Sequence, residues 1–170
     1  MFPDIEMIKK YCHLNSEEET LISSWKRPIV LLKIKNNLAE SVCSGFKETG
    51  AMLPYMPFHY LLFEKIGKKA LVLTSGNISE DPIIISNDQA KRHLSDVVNG
   101  IITYNRDIYN RTDDSVAFVL NKKTRLIRRS RGYTPTPIKT DKNLNNIIAT
   151  GAELVNCFCI GKNNTAIMSQ

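Results

Sequence analysis

No stretch of this 170-residue chain stays apolar for long. Runs such as Ile29–Leu32 and Leu71–Leu73 fall far short of the roughly 18 residues a membrane span needs. The opening Met1-Phe2-Pro3-Asp4-Ile5-Glu6 has no basic region leading into an apolar one, so no signal peptide is expected. Glycine and proline are sparse, at 8 and 7 residues, which excludes a collagen-like or low-complexity chain. The four cysteines, Cys12, Cys43, Cys157 and Cys159, form no C-x-x-C pair. Neither a disulfide framework nor a zinc site is expected from them. With no export signal, this points to a soluble domain in a reducing cytoplasm. No G-x-x-x-x-G-K-S/T element occurs, so a P-loop is excluded. No internal repeat is visible either.

What is present is an ordinary globular composition with a basic balance. Lysine and arginine number 23 against 17 acidic residues, a net charge of +6. Such a balance suits anionic partners, either nucleic acid or phosphates. The distribution favours the second. Acidic residues gather early, at Glu17-Glu18-Glu19, and arginines late, at Arg106, Arg111, Arg125, Arg128, Arg129 and Arg131. A late arginine cluster beside glycine and proline reads as a local anion site, not a continuous basic stripe.

Along the chain, Asp4 caps a helix over 4–13, and Ser16-Glu17-Glu18-Glu19 opens a second that ends near Ile22. Lys26-Arg27-Pro28 introduces a buried strand, Ile29–Ile34. Residues 35–50 are ambiguous, and Met52–Tyr55 reads as extended. Pro57 suits the first position of a helix to about Lys65, with Gly67 after it. Ala70–Thr74 reads as a strand, Ser86–Leu94 as a capped helix and Val98–Thr103 as a strand. Ser115–Leu120 and Thr124–Arg128 form a hairpin. Strands alternating with helices, then a hairpin, predict a mixed α/β (α+β) sheet, with Ile29–Ile34, Ala70–Thr74 and Val98–Thr103 sharing it. Lys139–Asn146 reads as a linker. Ile147–Thr150 and Gly151 come next, strands are expected at Asn156–Ile160 and Thr165–Ser169, and a lone hairpin is marginal in water, so the chain is expected to stop just inside a second domain.

Several segments could carry chemistry. Thr74-Ser75-Gly76-Asn77-Ile78-Ser79 follows a predicted strand, where ligands gather in open α/β sheets. It offers hydroxyls, an amide and a glycine that lets backbone approach a phosphate, and equally it reads as a polar turn. In Arg111-Thr112-Asp113-Asp114-Ser115 the carboxylates could hold Mg²⁺ beside a phosphate, or pair with Arg111 and cap a turn. Arg128-Arg129-Ser130-Arg131-Gly132 could grip phosphates or be a solvated strand end. The histidines share no metal-ligand spacing, and no protein metal site is expected. His13 and His93 sit in last turns of predicted helices. His59 lies near a helix start, where a cation is unfavourable. It is either a neutral imidazole offered to a ligand or a packed core residue. Trp25, alone in a loop, is expected as a core anchor and not a stacking platform.

Taken together, four groups of residues resemble the HypF family of nickel–iron hydrogenase maturation carbamoyltransferases. They are Met52-Leu53-Pro54-Tyr55-Met56-Pro57-Phe58-His59, Thr74-Ser75-Gly76-Asn77-Ile78-Ser79-Glu80-Asp81-Pro82, Asn105 through Arg111-Thr112-Asp113-Asp114-Ser115-Val116, and Arg128-Arg129-Ser130-Arg131-Gly132-Tyr133. Ala149-Thr150-Gly151-Ala152-Glu153-Leu154-Val155-Asn156 looks like the entry to that family's last domain. The resemblance implies a YrdC-like domain over residues 1–139, a twisted mixed sheet with flanking helices. A linker at 140–146 and the start of a Kae1-like domain of actin-like ATPase fold at 147–170 would follow. The basic motif near the start of YrdC-like domains, and the family's acylphosphatase-like and zinc-finger modules, are absent from this chain, and any zinc with them.

The family's chemistry would then be expected here. Carbamoyl phosphate and ATP give carbamoyl adenylate, and the carbamoyl group passes to the C-terminal cysteine of a HypE-type partner, the source of cyanide ligands. Ser75 and Asn77 match a Ser-x-Asn element that contacts nucleotide phosphates, with Thr74 and Ser79 beside them. Arg128 and Arg131 match an arginine segment lining the same cleft, and replacing Asn77 or Arg131 with alanine is expected to leave folding little changed. His59, Arg111, Asp113 and Asp114 are the expected catalytic positions, with Mg²⁺ accompanying ATP. A second reading from the same superfamily is a threonylcarbamoyl-AMP synthase, against which the Asp-Asp-Ser-Val and Arg-Gly-Tyr segments argue. A third is an RNA-binding module, against which the lack of aromatic interleaving along a basic stripe argues. No membrane partner is expected.

Overall fold

The computed structural model describes residues 1–36, 38–67, 69–78, 81–151 and 156–169. It divides into two compact units, one of residues 1–72 with 114–170 and one of residues 73–113.

The larger unit begins with α1 (Ile5–Tyr11), capped as expected by Asp4, whose Oδ1 accepts the Met7 N–H at 2.8 Å. The second helix, α2 (Ser16–Ser23), is capped one residue earlier than predicted. Asn15 Oδ1 accepts from Glu18 N–H at 2.8 Å, and Glu18 Oε2 accepts from Asn15 N–H at 2.9 Å. Asparagine caps at least as well as serine, so the box closes on Asn15–Glu18 instead of Ser16–Glu19. Pro28 then leads into β1 (Ile29–Lys33), which pairs antiparallel with β2 (Glu48–Ala51) and parallel with β3 (Val116–Leu120). From β3 the chain turns at Asn121-Lys122, both at positive φ, into β4 (Lys123–Arg128). Two left-handed residues match a two-residue hairpin turn to the strand twist. The sheet order is β2-β1-β3-β4, the mixed α/β arrangement that was expected.

Alternation along β1 sets the layers. Val30 and Leu32 are fully buried against Ile8 and Cys12 at the helix α1 end, Leu21 and Ile22 of α2, and Ala117 of β3. Ile29 faces the other way, into a cluster with Met52 and Phe63 of α3 (Pro57–Ile66). Helices therefore cover both faces of β1. Among the described residues no helix is long and apolar enough to cross a membrane.

The four cysteines are free. Burial pushes the Cys12 thiol up to about 11, so at pH 8 only about one in a thousand would be thiolate, against roughly a quarter for an ordinary thiol. Cys12 is therefore expected to react with iodoacetamide at pH 8 at least tenfold more slowly than Cys43, Cys157 or Cys159, as peptide mass mapping would read. Equal labelling would mean that this core is open.

Three expectations need correction. Ala70–Thr74 carries no strand ladder, because Leu71 pairs alone, its N–H on Met1 O at 2.9 Å and its carbonyl accepting from the Met1 amino group at 2.7 Å. Val98–Thr103 carries none either. The Val97 and Val98 N–H groups turn back onto Leu94 O at 3.0 and 3.1 Å, at the end of α4 (Asn87–Leu94). The β-branched runs supplied propensity without an edge to pair with. Trp25 is no core anchor, since it is 77% exposed. The segment 140–146, expected as a linker, hydrogen-bonds to the hairpin that follows it. Thr140 N–H reaches Asn164 O at 2.9 Å, and Asn163 N–H reaches Asn145 Oδ1 at 2.6 Å.

Those bonds belong to a second, antiparallel sheet of order β5-β8-β7-β6, built from β5 (Ile138–Lys139), β6 (Ile148–Ala149), β7 (Cys159–Lys162) and β8 (Thr165–Met168). β7 starts later than the predicted Asn156–Ile160. The family-like Ala149–Asn156 motif falls partly on residues 152–155, outside the described residues.

Candidate functional site

Two groups of expected site residues fall in different units. In the Leu73–Asp113 unit, Ser75 and Asn77 are joined. The Ser75 hydroxyl donates to Asn77 Oδ1 at 2.5 Å, and Asn77 Nδ2 donates to the Ile78 and Asp81 carbonyls at 3.0 Å each. Asn77 is thus the internal brace of the loop. Gly76 O accepts from Ile84 N–H at 2.9 Å, closing the loop's far side. Thr74 and Ser75 are exposed, and the Thr74 hydroxyl meets Ser75 O at 3.4 Å. Ser79 lies outside the described residues. Arg111 is exposed and donates from Nε to Ile83 O at 2.7 Å. Asp113 is half-buried at the end of this unit.

In the other unit, the β3–β4 hairpin sets Asp114 beside Arg131, bridged in parallel register. Ser115 is fully buried there. Its hydroxyl donates to Arg131 O at 2.9 Å and accepts from Ser130 N–H at 2.8 Å. The Arg131 guanidinium donates to Asp114 Oδ1 at 2.7 Å, to Arg27 O at 2.7 Å and to Lys26 O at 3.2 Å. Its carbon lies 3.6 Å from the Tyr55 ring centroid. Of a guanidinium's five N–H donors, three are therefore engaged within the fold. Gly132 has φ +85, and a Cβ there would meet Lys26 O at 2.7 Å, so only glycine lets this segment lie against the Lys26 backbone.

His59 joins the same group through Tyr55. The two rings meet edge to face at 4.8 Å and 84°, and Tyr55 N–H reaches His59 Nδ1 at 3.5 Å. His59 is 7% exposed, in the first turn of α3. Burial holds its pKa below the usual imidazole value, with Arg131 adding to that and Asp114 opposing it. Burial also raises the Tyr55 phenol, and the Asp114 charge reinforces it. Both are neutral near pH 7.

The structure thus joins His59, Asp114 and Arg131, and separately Ser75 and Asn77. Arg128 ends β4 and is exposed, opposite Val116. Arg129 donates from Nη2 to Tyr133 O at 2.8 Å and Thr136 O at 2.5 Å, while its Nη1 is buried with no hydrogen-bond partner. The expectation that losing Arg131 leaves folding little changed fails, because the side chain is only 21% exposed and multiply bonded. Asp114 Oδ1 is held by Arg131, and among the described residues no group of three or more His, Cys, Asp or Glu could hold a metal. The sequence reading missed Tyr55 and Ser115 as members of the group. Both stand inside the quoted motifs, but neither periodicity nor charge singles them out.

The family model described as telomere recombination, Sua5/YciO/YrdC, matches residues 1–130. The carbamoyltransferase HypF of Rhizobium leguminosarum bv. viciae is 36% identical over 177 residues, covering 100% of this chain and 23% of that protein. The probable carbamoyltransferase HypF of Methanocaldococcus jannaschii is 35% identical over 98% of this chain and 22% of its own length. Among solved structures, a full-length HypF described as phosphate- and nucleotide-bound superposes with a TM-score of 0.90 at 44% identity, over 99% of this chain and 27% of that one. HypF of T. kodakarensis superposes at 0.91 and 39%, over 100% and 22%. The chain therefore spans about a quarter of the length of these proteins or less.

Proposed function

The chain belongs to the Sua5/YciO/YrdC family and is a homologue of HypF carbamoyltransferases, and from that premise we propose that it forms the carbamoyl-adenylate site of such an enzyme. Carbamoyl phosphate, losing its phosphate to water, supplies carbamate. A carbamate oxygen then attacks the α-phosphorus of ATP, an O–P bond forms and pyrophosphate leaves. The carbamoyl group finally passes to a cysteine thiol of a HypE-type partner, releasing AMP.

The observation that carries this reading is the 44% identity, across nearly the whole chain, to a HypF described as phosphate- and nucleotide-bound. The site chemistry supports it. The braced Ser75–Asn77 loop presents hydroxyl and backbone groups to phosphate oxygens. The Arg128–Arg131 segment supplies charge that cannot be lost by deprotonation. On this reading catalysis is mainly the electrostatic stabilisation of charge on the leaving pyrophosphate together with alignment of the attacking oxygen. Magnesium enters with the triphosphate and not on the Asp113–Asp114 pair. Four free thiols support a reducing, cytoplasmic setting.

The test is pyrophosphate exchange. The protein carrying this chain is expected to move labelled pyrophosphate into ATP when carbamoyl phosphate is supplied and not with ATP alone. Exchange without carbamoyl phosphate, or with threonine and bicarbonate in its place, would move the chain to another member of the superfamily.

A further inference from the structure

The interaction that no expected role accounts for is Tyr55. Its ring has the Arg131 guanidinium 3.6 Å from its centroid and the edge-on His59 ring at 4.8 Å. Its main-chain N–H points to His59 Nδ1 at 3.5 Å. Asp114 secures Arg131 at 2.7 Å, and the carbonyls of Lys26 and Arg27 hold its other nitrogens. A neutral imidazole has one donor and one acceptor nitrogen, and a donor placed on Nδ1 commits the proton to Nε2. A cation is also disfavoured at this place, because the helix N-terminus presents positive partial charge and Arg131 lies within the group.

The Nε2–H so fixed has no acceptor among the described residues. A buried, unsatisfied polar nitrogen is rare in a folded protein. Among the described residues that state is recorded for Arg129 Nη1 and not for His59, so His59 Nε2 keeps contact with the surface. A donor held by its neighbours, still reachable and lacking an internal acceptor suits an anionic ligand oxygen.

We propose that Tyr55 is a positioning residue that holds His59 in the Nε2–H tautomer, clamped against the Arg131–Asp114 pair, so that His59 donates a hydrogen bond to an oxyanion of the bound carbamoyl or phosphate group. This rests on the adenylate-forming reading above for the identity of the ligand, but the tautomer does not. Tyr55 acts on the ligand only through His59.

The experiment is nitrogen NMR on protein labelled with ¹⁵N-histidine, in which His59 is assigned by the signal lost in His59→Gln. At pH 7.5 the wild type is expected to show His59 protonated on Nε2 and bare on Nδ1. Tyr55→Leu keeps the main-chain N–H but removes the ring that holds His59 over it, and is expected to show averaged tautomers and about a tenfold or greater fall in the exchange kcat, with KM for ATP changed less than threefold. Tyr55→Phe, which keeps the ring, is expected to restore both. Should Tyr55→Leu fail to fold, the wild-type tautomer and the Tyr55→Phe rescue still decide. An Nδ1–H or doubly protonated His59 in the wild type overturns the proposal, as does a Tyr55→Phe variant as impaired as His59→Gln. The wild-type tautomer lost in Tyr55→Leu, in a protein that shows no exchange, supports the positioning role and defeats the reaction assigned above.

Discussion

Replacing Arg131 with alanine is expected to lower the unfolding free energy by about 3 kcal/mol, the middle of the range for removing one partner of a hydrogen-bonded pair that is partly buried. The loss has several sources. Asp114, 27% exposed, would keep its charge without a cation beside it. The carbonyls of Lys26 and Arg27 would lose their donors at a point where Arg27 already holds a left-handed φ of 45. Tyr55 would lose the cation over its ring. Arg131→Lys retains a charge for Asp114 but not the planar fork that reaches two carbonyls, and about half the loss is expected to remain. Arg125, exposed on β4, serves as the control, and Arg125→Ala should fall within about 0.5 kcal/mol of wild type. Urea unfolding at pH 7 reads all three. An Arg131→Ala protein as stable as wild type would show that these contacts do not persist in solution.

Asn77→Ala has the largest expected effect on activity. The Asn77 amide bridges the Ile78 and Asp81 carbonyls and accepts the Ser75 hydroxyl, so its loss releases the loop on both sides. Removing one preorganised contribution of this kind typically lowers a rate by about 10²–10³-fold, and that is the fall expected in carbamoyl-phosphate-dependent exchange. Asn77→Asp separates the contributions, because it preserves the acceptor for Ser75 and removes both amide donors. Stability should hardly change, since Ser75 and its neighbours are exposed and the bonds lost are local. A rate within threefold of wild type would remove Asn77 from the site.

Local signals carried much of the fold. Asp4, Pro28, Pro57 and Ser86 marked their element starts because capping and proline geometry act over three or four residues. The β3–β4 hairpin was legible for the same reason. β2 was not, because Glu48-Thr49-Gly50-Ala51 has little intrinsic strand preference, and its pairing with β1 comes from tertiary contact. Val98–Thr103 failed in the opposite direction, having propensity without an edge to pair with.

The site divides along the same line. Residue type at a loop or strand end identified Ser75, Asn77, His59, Asp114 and Arg131 as chemically capable. It could not say that Arg131 turns most of its donors inward, since the acceptors are carbonyls of Lys26 and Arg27, about a hundred residues earlier in the chain. Tyr55 likewise becomes visible only when the guanidinium and the imidazole are both beside it.

The most direct test of the central claim, that this chain forms a carbamoyl-adenylate site, is a crystal structure of the protein with a non-hydrolysable sulfamoyl analogue of carbamoyl adenylate. The sulfonyl group, standing in for the α-phosphate, is expected within hydrogen-bonding distance, about 3 Å, of the Ser75–Ile78 loop. An analogue that does not bind, or that binds with the sulfonyl group away from this loop, would contradict the account.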